Sequence, residues 1–246
     1  MKIIHVSTLD SPALAPYAHL TEAQLRNRLH PEESLFICES KKVIRIALAV
    51  GCQPASFLCE EKFVDSQIRM LAEGFPEVPV YTGPRELLVQ LTGYELSRGV
   101  LSAMHRPQLP TADALLSTYG NPEKTYRVAV LDSVVNATNI GAIFRAAAAL
   151  GVDGLLLTKT CCDPLNRRAC RVSMGTVFQI PWAWLDNYDQ LREAGFHTVA
   201  LALTDRSVAI DDSILKKHRH LAIIMGTEGD GLREEVLKRC DYVARI

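Results

Sequence analysis

The sequence predicts an α/β protein built from two consecutive units. Short apolar runs alternate with helix-like stretches along the whole chain, which is typical of α/β folds. Hydrophobic residues make up 48% of the 246 residues, which is enough to fill a sizeable core. A polar, proline-containing stretch near the middle of the chain indicates a boundary between two domains.

The first unit is expected to span residues 1–106. Its short apolar runs predict strands, and the longer stretches between them predict helices. The predicted strands are 34–38, 55–59, 78–81 and 99–104, and the predicted helices are 41–50, 64–73 and 85–91.

Residues 107–125 are expected to form a linker. Pro107, Pro110 and Pro122 punctuate this polar stretch, and Gly120 and Asn121 precede the last proline. Because proline and glycine interrupt regular structure, we expect at most one short helix there.

The second unit is expected to span residues 126–246 and to continue the alternation of strands and helices. Trp182 and Trp184 flank Ala183 as alternating strand residues would, so packing in a core or at an edge is favoured over base stacking. The predicted strands are 126–131, 152–157, 198–203, 220–225 and 242–246, and the predicted helices are 141–150, 168–177, 188–194 and 232–239.

Composition narrows the class of protein. No apolar run approaches the roughly 18 residues that cross a bilayer, and the first apolar stretch is too short for a secretory signal. We therefore expect a cytoplasmic protein. The seven cysteines show no Cys-x-x-Cys or Cys-His spacing, which predicts reduced thiols and no metal site.

Charge is balanced over the whole chain, with a net value of −1. Any RNA binding must therefore be local. One candidate is the segment 159–171, in which Lys159, Arg167, Arg168 and Arg171 are opposed only by Asp163. A second basic stretch covers 216–220. A solvated surface remains the alternative interpretation of both.

The first motif with chemical content runs from Asn136 to Leu150, after the strand 126–131. Asn136, Thr138 or Asn139 could cap the helix that follows. Arg145 interrupts a run of small apolar residues. A guanidinium held there could clamp a phosphate or a developing anion, although a surface arginine is the alternative.

The second motif is a glycine turn after the strand 220–225. Gly226, Gly229 and Gly231 would let a ligand approach the backbone. The turn lacks the Gly-Lys-Ser/Thr of a Walker loop. Its Gly229-Asp-Gly231 pattern also lacks the third glycine that a dinucleotide fingerprint carries further along the chain. Glu228 and Asp230 would repel a pyrophosphate but suit a sulfonium cofactor. The alternative is a structural turn whose acids cap the next helix.

Together these motifs resemble those of the SpoU/TrmH class of SPOUT methyltransferases. Asn139, Gly141 and Arg145 resemble that family's first motif, and the stretch 224–232 resembles its second. Between them, 171–175 resembles a stretch where many members carry a Ser-x-Gly helix.

The first unit is also similar to a known type of domain. Its stretches 35–39 and 99–104 resemble, more loosely, the ribosomal-protein-like RNA-binding domain that often precedes the catalytic domain of these methyltransferases.

The resemblance implies a trefoil-knot, parallel-sheet catalytic domain at 126–246. It implies transfer of a methyl group from S-adenosylmethionine to a ribose 2′-hydroxyl of RNA. The extra first unit favours ribosomal RNA over transfer RNA. A homodimer whose sites lie across the interface is also implied. The family's third motif would begin beyond Ile246, so we expect a truncated chain that is unknotted and binds cofactor weakly or not at all.

The resemblance also assigns roles to residues. Arg145 becomes the central catalytic group, with Asn139 and Glu228 shaping the site. A guanidinium retains its proton at neutral pH, so Arg145 is expected to grip a phosphate and stabilise the developing alkoxide rather than act as a base. The implied cofactor-binding residues are Leu203, Gly226, Gly231 and Ile246, and the expected RNA-binding residues are Arg167, Arg168 and Arg171.

Two other functions stay open. A non-catalytic RNA-binding protein could share the fold, although the presence of Asn139, Arg145 and Glu228 together argues against it. A nucleotide-binding oxidoreductase with a degenerate glycine turn is the second, and the failed dinucleotide fingerprint argues against it.

Overall fold

The computed structural model describes residues 1–8, 10–92 and 99–246. The chain divides into two compact units. The first contains Met1–Pro107 and Pro164–Gln179, and the second contains Gln108–Asp163 and Ile180–Ile246. The predicted division near residue 106 therefore accounts for one change of unit, and the structure adds two more at 163/164 and 179/180.

Within the described residues, five strands of the first unit form one sheet in the order β1-β4-β3-β5-β2. β1, β4 and β3 are parallel, whereas β5 runs antiparallel to β3 and β2. Four of these strands were predicted. β1 was not, because its apolar run is only Ile3 and Ile4. The strands are β1 Lys2–His5, β2 Leu35–Glu39, β3 Pro54–Glu60, β4 Pro79–Gly83 and β5 Val100–His105.

The helices of the first unit cover its sheet and close its core. The predicted helix 64–73 is a π-helical turn at Val64–Ile68 that continues into a short α-helix. Leu14, Ile37 and Leu58 are among the buried core residues. The α-helices before the second unit are α1 Ala15–Ala18, α2 Glu22–Arg26, α3 Lys41–Ala49, α4 Arg69–Leu71 and α5 Arg85–Thr92.

Residues 107–125 do not form a free linker. All of them except Pro107 belong to the second unit, and they contain α6 (Ala112–Ser117), capped by the Thr111 side chain. Leu115 and Leu116 of α6 are buried in the core of that unit. Apolar burial therefore outweighs the punctuating prolines in this stretch.

The second unit contains an all-parallel sheet of seven described strands in the order β10-β12-β9-β11-β6-β7-β8. Parallel sheets are covered on both faces, which explains why Leu155, Leu156 and Leu157 are all fully buried. The strands are β6 Tyr126–Leu131, β7 Gly154–Thr158, β8 Trp182–Leu185, β9 His197–Leu201, β10 Val208–Ala209, β11 His220–Met225 and β12 Tyr242–Arg245.

The helices of the second unit complete the alternating pattern. Trp182 is buried and packs edge-on against Phe144 at a centroid distance of 6.1 Å, which confirms a packing role for this tryptophan. Besides α6, these helices are α7 Ala137–Leu150, α9 Asp189–Glu193, α10 Ser213–Lys216 and α11 Glu234–Arg239, and α8 (Arg167–Val172) lies in the first unit.

The segment 164–179 differs most from its prediction. The expected helix 168–177, assigned to the second domain, is instead α8 (Arg167–Val172) followed by a 3-10 turn, and both lie in the first unit. Met174 and Gly175 have positive φ angles of 56° and 90°, which end the helix. A Cβ atom at Gly175 would lie 2.9 Å from Ile46 Cδ1, so this close packing favours glycine.

The seven cysteines are free thiols, and five of them are buried. Burial raises the pKa of Cys38 well above its usual value. In the described parts of the chain, no helix combines the length and apolar character required to traverse a bilayer.

Candidate active site

Both sequence motifs follow neighbouring strands of the second unit's sheet. β6 and β11 pair in parallel, and their last residues, Leu131 and Met225, are partners in the register. Since parallel strands end at the same edge of a sheet, the loop before α7 and the glycine turn are adjacent. Ligands of open α/β sheets typically bind at this carboxyl edge.

The first motif begins its helix earlier than predicted. α7 starts at Ala137 rather than 141, because Asn136 Oδ1 accepts a hydrogen bond from the Thr138 backbone N–H at 2.8 Å. Asn139 therefore lies in the first turn of a capped helix. The helix ends at Leu150, and Gly151 takes the left-handed conformation with φ of 69°.

The glycine turn closes on itself through backbone hydrogen bonds. The Thr227 N–H donates to the Gly231 carbonyl and the Gly231 N–H donates to the Thr227 carbonyl, both at 3.2 Å. A Cβ atom at Gly226 would lie 2.2 Å from the Gly231 oxygen, so only glycine fits there. The Gly231 φ angle of 67° also favours glycine.

A hydrogen bond joins the two motifs. Asn139 Nδ2 donates to Glu228 Oε2 at 3.0 Å, although the residues are 89 positions apart in the chain. Neither side chain makes another side-chain hydrogen bond with the described residues. Glu228 is exposed. The amide oxygen of Asn139 and the second carboxylate oxygen of Glu228 can therefore meet a ligand.

Arg145 is not part of this pair within one chain. It lies six residues after Asn139, which corresponds to about 9 Å along the helix axis and about 120° around it. Arg145 is exposed and forms no hydrogen bond or ion pair with any residue that the structure describes. Its neighbours on the helix surface, Ala142, Ala146 and Ala149, are exposed too.

The implied cofactor residues share the edge of the sheet that carries Glu228. Leu203, Gly226 and Ile246 follow β9, β11 and β12, which are adjacent and parallel. Leu203 is 84% exposed and Ile246 is fully exposed. Leu203 is therefore an exposed apolar side chain at the same edge of the sheet as the glycine turn.

The basic segment of α8 is partly neutralised. Arg167 Nε lies 3.4 Å from Glu39 Oε2, and Arg171 Nη1 lies 3.5 Å from Glu39 Oε1. Glu39 is only 2% exposed. Arg168 is exposed. Counting charges along the sequence missed Glu39, because it is more than a hundred residues away from its partners.

A buried carboxylate at the carboxyl edge was not singled out from the sequence. Asp132 is 3% exposed, and its Oδ1 accepts hydrogen bonds from Ser133 Oγ at 3.1 Å and Thr158 Oγ1 at 3.2 Å. Arg233 Nη2 lies 4.0 Å from Oδ2. Burial is the main cause that raises the pKa of Tyr188, and the negative charge of Asp132 raises it further. An acid directly after the strand 126–131 was the available signal.

Comparisons with known proteins show the family of the chain. A family model described as the SpoU rRNA methylase family matches residues 126–246. The chain is 30% identical over 243 residues to an uncharacterized tRNA/rRNA methyltransferase of Mycobacterium bovis, covering 96% of this chain and 81% of that protein.

Two solved structures are similar in fold. One is an AdoMet-bound rRNA methyltransferase from Sinorhizobium meliloti, with a TM-score of 0.77 and 22% identity over 99% of this chain and 88% of that one. The other is an RNA 2′-O ribose methyltransferase, with a TM-score of 0.72 and 18% identity over 99% of this chain and 89% of that one.

Proposed function

The chain belongs to the SpoU rRNA methylase family, and from that premise we propose that it transfers a methyl group from S-adenosylmethionine to a ribose 2′-hydroxyl of RNA. The observation that carries this proposal is the Asn139–Glu228 hydrogen bond, which joins the two motifs at the carboxyl edge of a parallel sheet. We favour ribosomal RNA over transfer RNA as the substrate, because a separate unit precedes the catalytic one.

The residues at the edge of the sheet fit this cofactor. Leu203 and Ile246 offer exposed apolar contacts, and the turn from Gly226 to Gly231 offers close access to the backbone. Glu228 supplies negative charge near a sulfonium. When bound, S-adenosylmethionine supplies an electrophilic methyl group, so the protein's task is alignment of the attacking hydroxyl.

Glu228 and Asn139 orient the ribose. The Glu228 oxygen that does not face Asn139 can accept the hydrogen of the 2′-hydroxyl, while the Asn139 amide oxygen can accept a second hydrogen bond. Arg145 binds an RNA phosphate and stabilises the alkoxide that develops on the attacking oxygen.

A homodimer would supply Arg145 to the site. Within one chain Arg145 does not contact the Asn139–Glu228 pair, and it lies on a helix face with exposed Ala142, Ala146 and Ala149. An exposed stripe of small residues suits close packing against a second copy of α7. We propose that Arg145 of one protomer serves the Asn139–Glu228 pair of its partner.

The test of the reaction incubates the protein with methyl-labelled S-adenosylmethionine and total RNA. We expect label in RNA as an alkali-resistant 2′-O-methyl nucleotide at one position. A matched RNA with a 2′-deoxyribose at that position should accept none. Label on a base, or label in the deoxy control, would disprove transfer to the ribose hydroxyl.

A further inference from the structure

The first unit contains a cavity of about 600 Å³ that no residue of the candidate active site lines. It opens at the carboxyl ends of β1, β4 and β3 and at the start of α5, with His5, Glu60, Thr82 and Arg85 among its lining. A crevice outside the carboxyl ends of parallel strands is a common place for a ligand. Its volume lies within the range of small-molecule sites and suffices for one nucleotide.

Glu60 is an incompletely paired carboxylate in this cavity. It is 8% exposed, and its Oε2 lies 2.5 Å from Lys62 Nζ. Its Oε1 accepts no hydrogen bond from residues 1–8, 10–92 or 99–246. This oxygen keeps contact with solvent in the cavity, so it is an acceptor that a donor group of a ligand can reach. The exocyclic amino group of a nucleobase is such a donor.

His5 lines the same cavity from the end of β1, with β4 between it and Glu60. Its Nδ1 lies 3.1 Å from the hydroxyl of Thr82, which is fully buried. Its Nε2 has no hydrogen-bond partner among the described residues. When the Thr82 hydroxyl donates to Nδ1, the imidazole Nε2–H faces outward as a donor. The cavity therefore combines an acceptor with a donor on fixed side chains.

The charges of the lining restrict the ligand. Lys62 and Arg85 are exposed cations, and the carboxylates of Glu60 and Glu61 balance them. A balanced site disfavours a diphosphate or triphosphate and suits a single phosphodiester. Cations at the mouth can contact that phosphodiester while the base enters the cavity.

We propose that this cavity binds one unpaired, amino-bearing nucleotide of the RNA substrate, with its base amino group donating to Glu60 and its phosphate beside Arg85. Single-stranded RNA is commonly recognised through bases turned out of the stack. This inference rests on the RNA substrate proposed above, but it concerns binding and needs no methyl transfer.

The test measures binding of twelve-nucleotide oligocytidylate and oligouridylate to the full chain without cofactor. We expect oligocytidylate to bind about tenfold more tightly, and Glu60→Gln to reduce this preference to about threefold or less. Arg85→Ala should weaken binding of both about tenfold and lower the salt dependence by about one ion. Arg69→Ala is the matched control, because Arg69 is exposed, pairs with Asp65 and lies outside the cavity.

Equal losses in Arg85→Ala and Arg69→Ala, or a preference that Glu60→Gln leaves unchanged, would overturn the assignment. Competition by cytidine monophosphate as tight as by the oligonucleotide would assign the site to free nucleotides instead.

Ultraviolet cross-linking of the wild-type protein to oligocytidylate is independent of variant folding. Adducts on peptides containing His5, Glu60 or Arg85 support the site, and adducts confined to other peptides contradict it. If the protein transfers methyl groups but shows none of these binding effects, the assignment of this cavity is refuted and the proposed methyl transfer stands.

Discussion

The arginines of the two units stand in opposite environments. In the first unit, Arg167 and Arg171 are more than two-thirds buried and share the buried carboxylate of Glu39. In the second unit, Arg145 is exposed and has no partner among the described residues. A buried, paired charge that loses its partner costs stability, whereas an exposed one costs little. We therefore expect Arg167 and Arg171 to act chiefly in the stability of the first unit, and we propose Arg145 as the residue that acts in the reaction.

The largest expected effect is on Arg145. Arg145→Ala should lower methyl transfer at least about a hundredfold, the scale seen when a key electrostatic group is removed, and leave thermal stability unchanged. Transfer is measured with labelled S-adenosylmethionine and stability by calorimetry. Arg69→Ala, which changes an exposed arginine of α4 that pairs with Asp65, is the control and should cost much less activity. Transfer undiminished by Arg145→Ala would contradict its role.

A dimer can be tested with the same residue. Mixing Arg145→Ala with Glu228→Gln should restore part of the transfer, because one of the two sites in a mixed dimer then has both side chains intact. No recovery after subunit exchange would mean that the two residues act within one chain.

Glu39 should show the reverse pattern. Glu39→Gln removes the charge between Arg167 and Arg171, and we expect it to destabilise the first unit by about 2–3 kcal/mol. Asp65→Asn is the matched change in an exposed pair with Arg69 and should cost less than about 0.5 kcal/mol. Urea denaturation measures both. Equal shifts of the urea midpoint in the two variants would show that the buried pairing of Glu39 contributes no more to stability than the exposed pair of Asp65 and Arg69.

Local sequence patterns predict strands better than they predict which distant residues pair with each other in the fold. Most strands of both sheets are apolar runs, so their existence can be predicted locally, whereas the short strands β1 and β10 were missed. The two motifs could be placed at one edge because parallel strands end together. The pairing of Glu39 with α8 depends on folding across more than a hundred residues. The position of 164–179 in the first unit also depends on contacts between residues far apart in the chain, because Gly175 packs there against Ile46.

The ends of the helices also lay beyond local patterns. α7 begins at Ala137 because the Asn136 side chain caps it, but Asn136, Thr138 and Asn139 were equally good candidates in the sequence. Asp132 was missed because an acid after a strand has many uses, and only its burial shows that it organises Ser133 and Thr158.

Two substitutions in the glycine turn test whether the candidate active site needs a fixed backbone shape. Gly226→Ala would place a Cβ atom 2.2 Å from the Gly231 oxygen, so the turn must shift, and we expect transfer to fall about tenfold with a loss of about 1–2 kcal/mol. Gly229→Ala meets nothing within 4 Å and should be tolerated. Similar activity in both variants would show that the turn is not rigidly shaped.

The smallest expected effect concerns a paired acid in the second unit. Burial would raise the pKa of Asp241, but hydrogen bonds from the Thr198 N–H and hydroxyl, at 2.7 and 2.8 Å, lower it overall. A carboxyl with a lowered pKa stabilises the fold above its unfolded pKa of about 3.9, and this contribution is lost as pH falls through the folded value.

Thr198→Val should therefore cost about 1 kcal/mol between pH 5 and 7, and the difference from wild type should shrink below about pH 4. Thr204→Val removes a hydroxyl that faces Ser207 Oγ rather than a carboxylate, so its cost should not vary with pH in this way. Denaturation at several pH values measures both. A cost of Thr198→Val that is constant down to pH 3 would show that Asp241 draws no stability from this pairing.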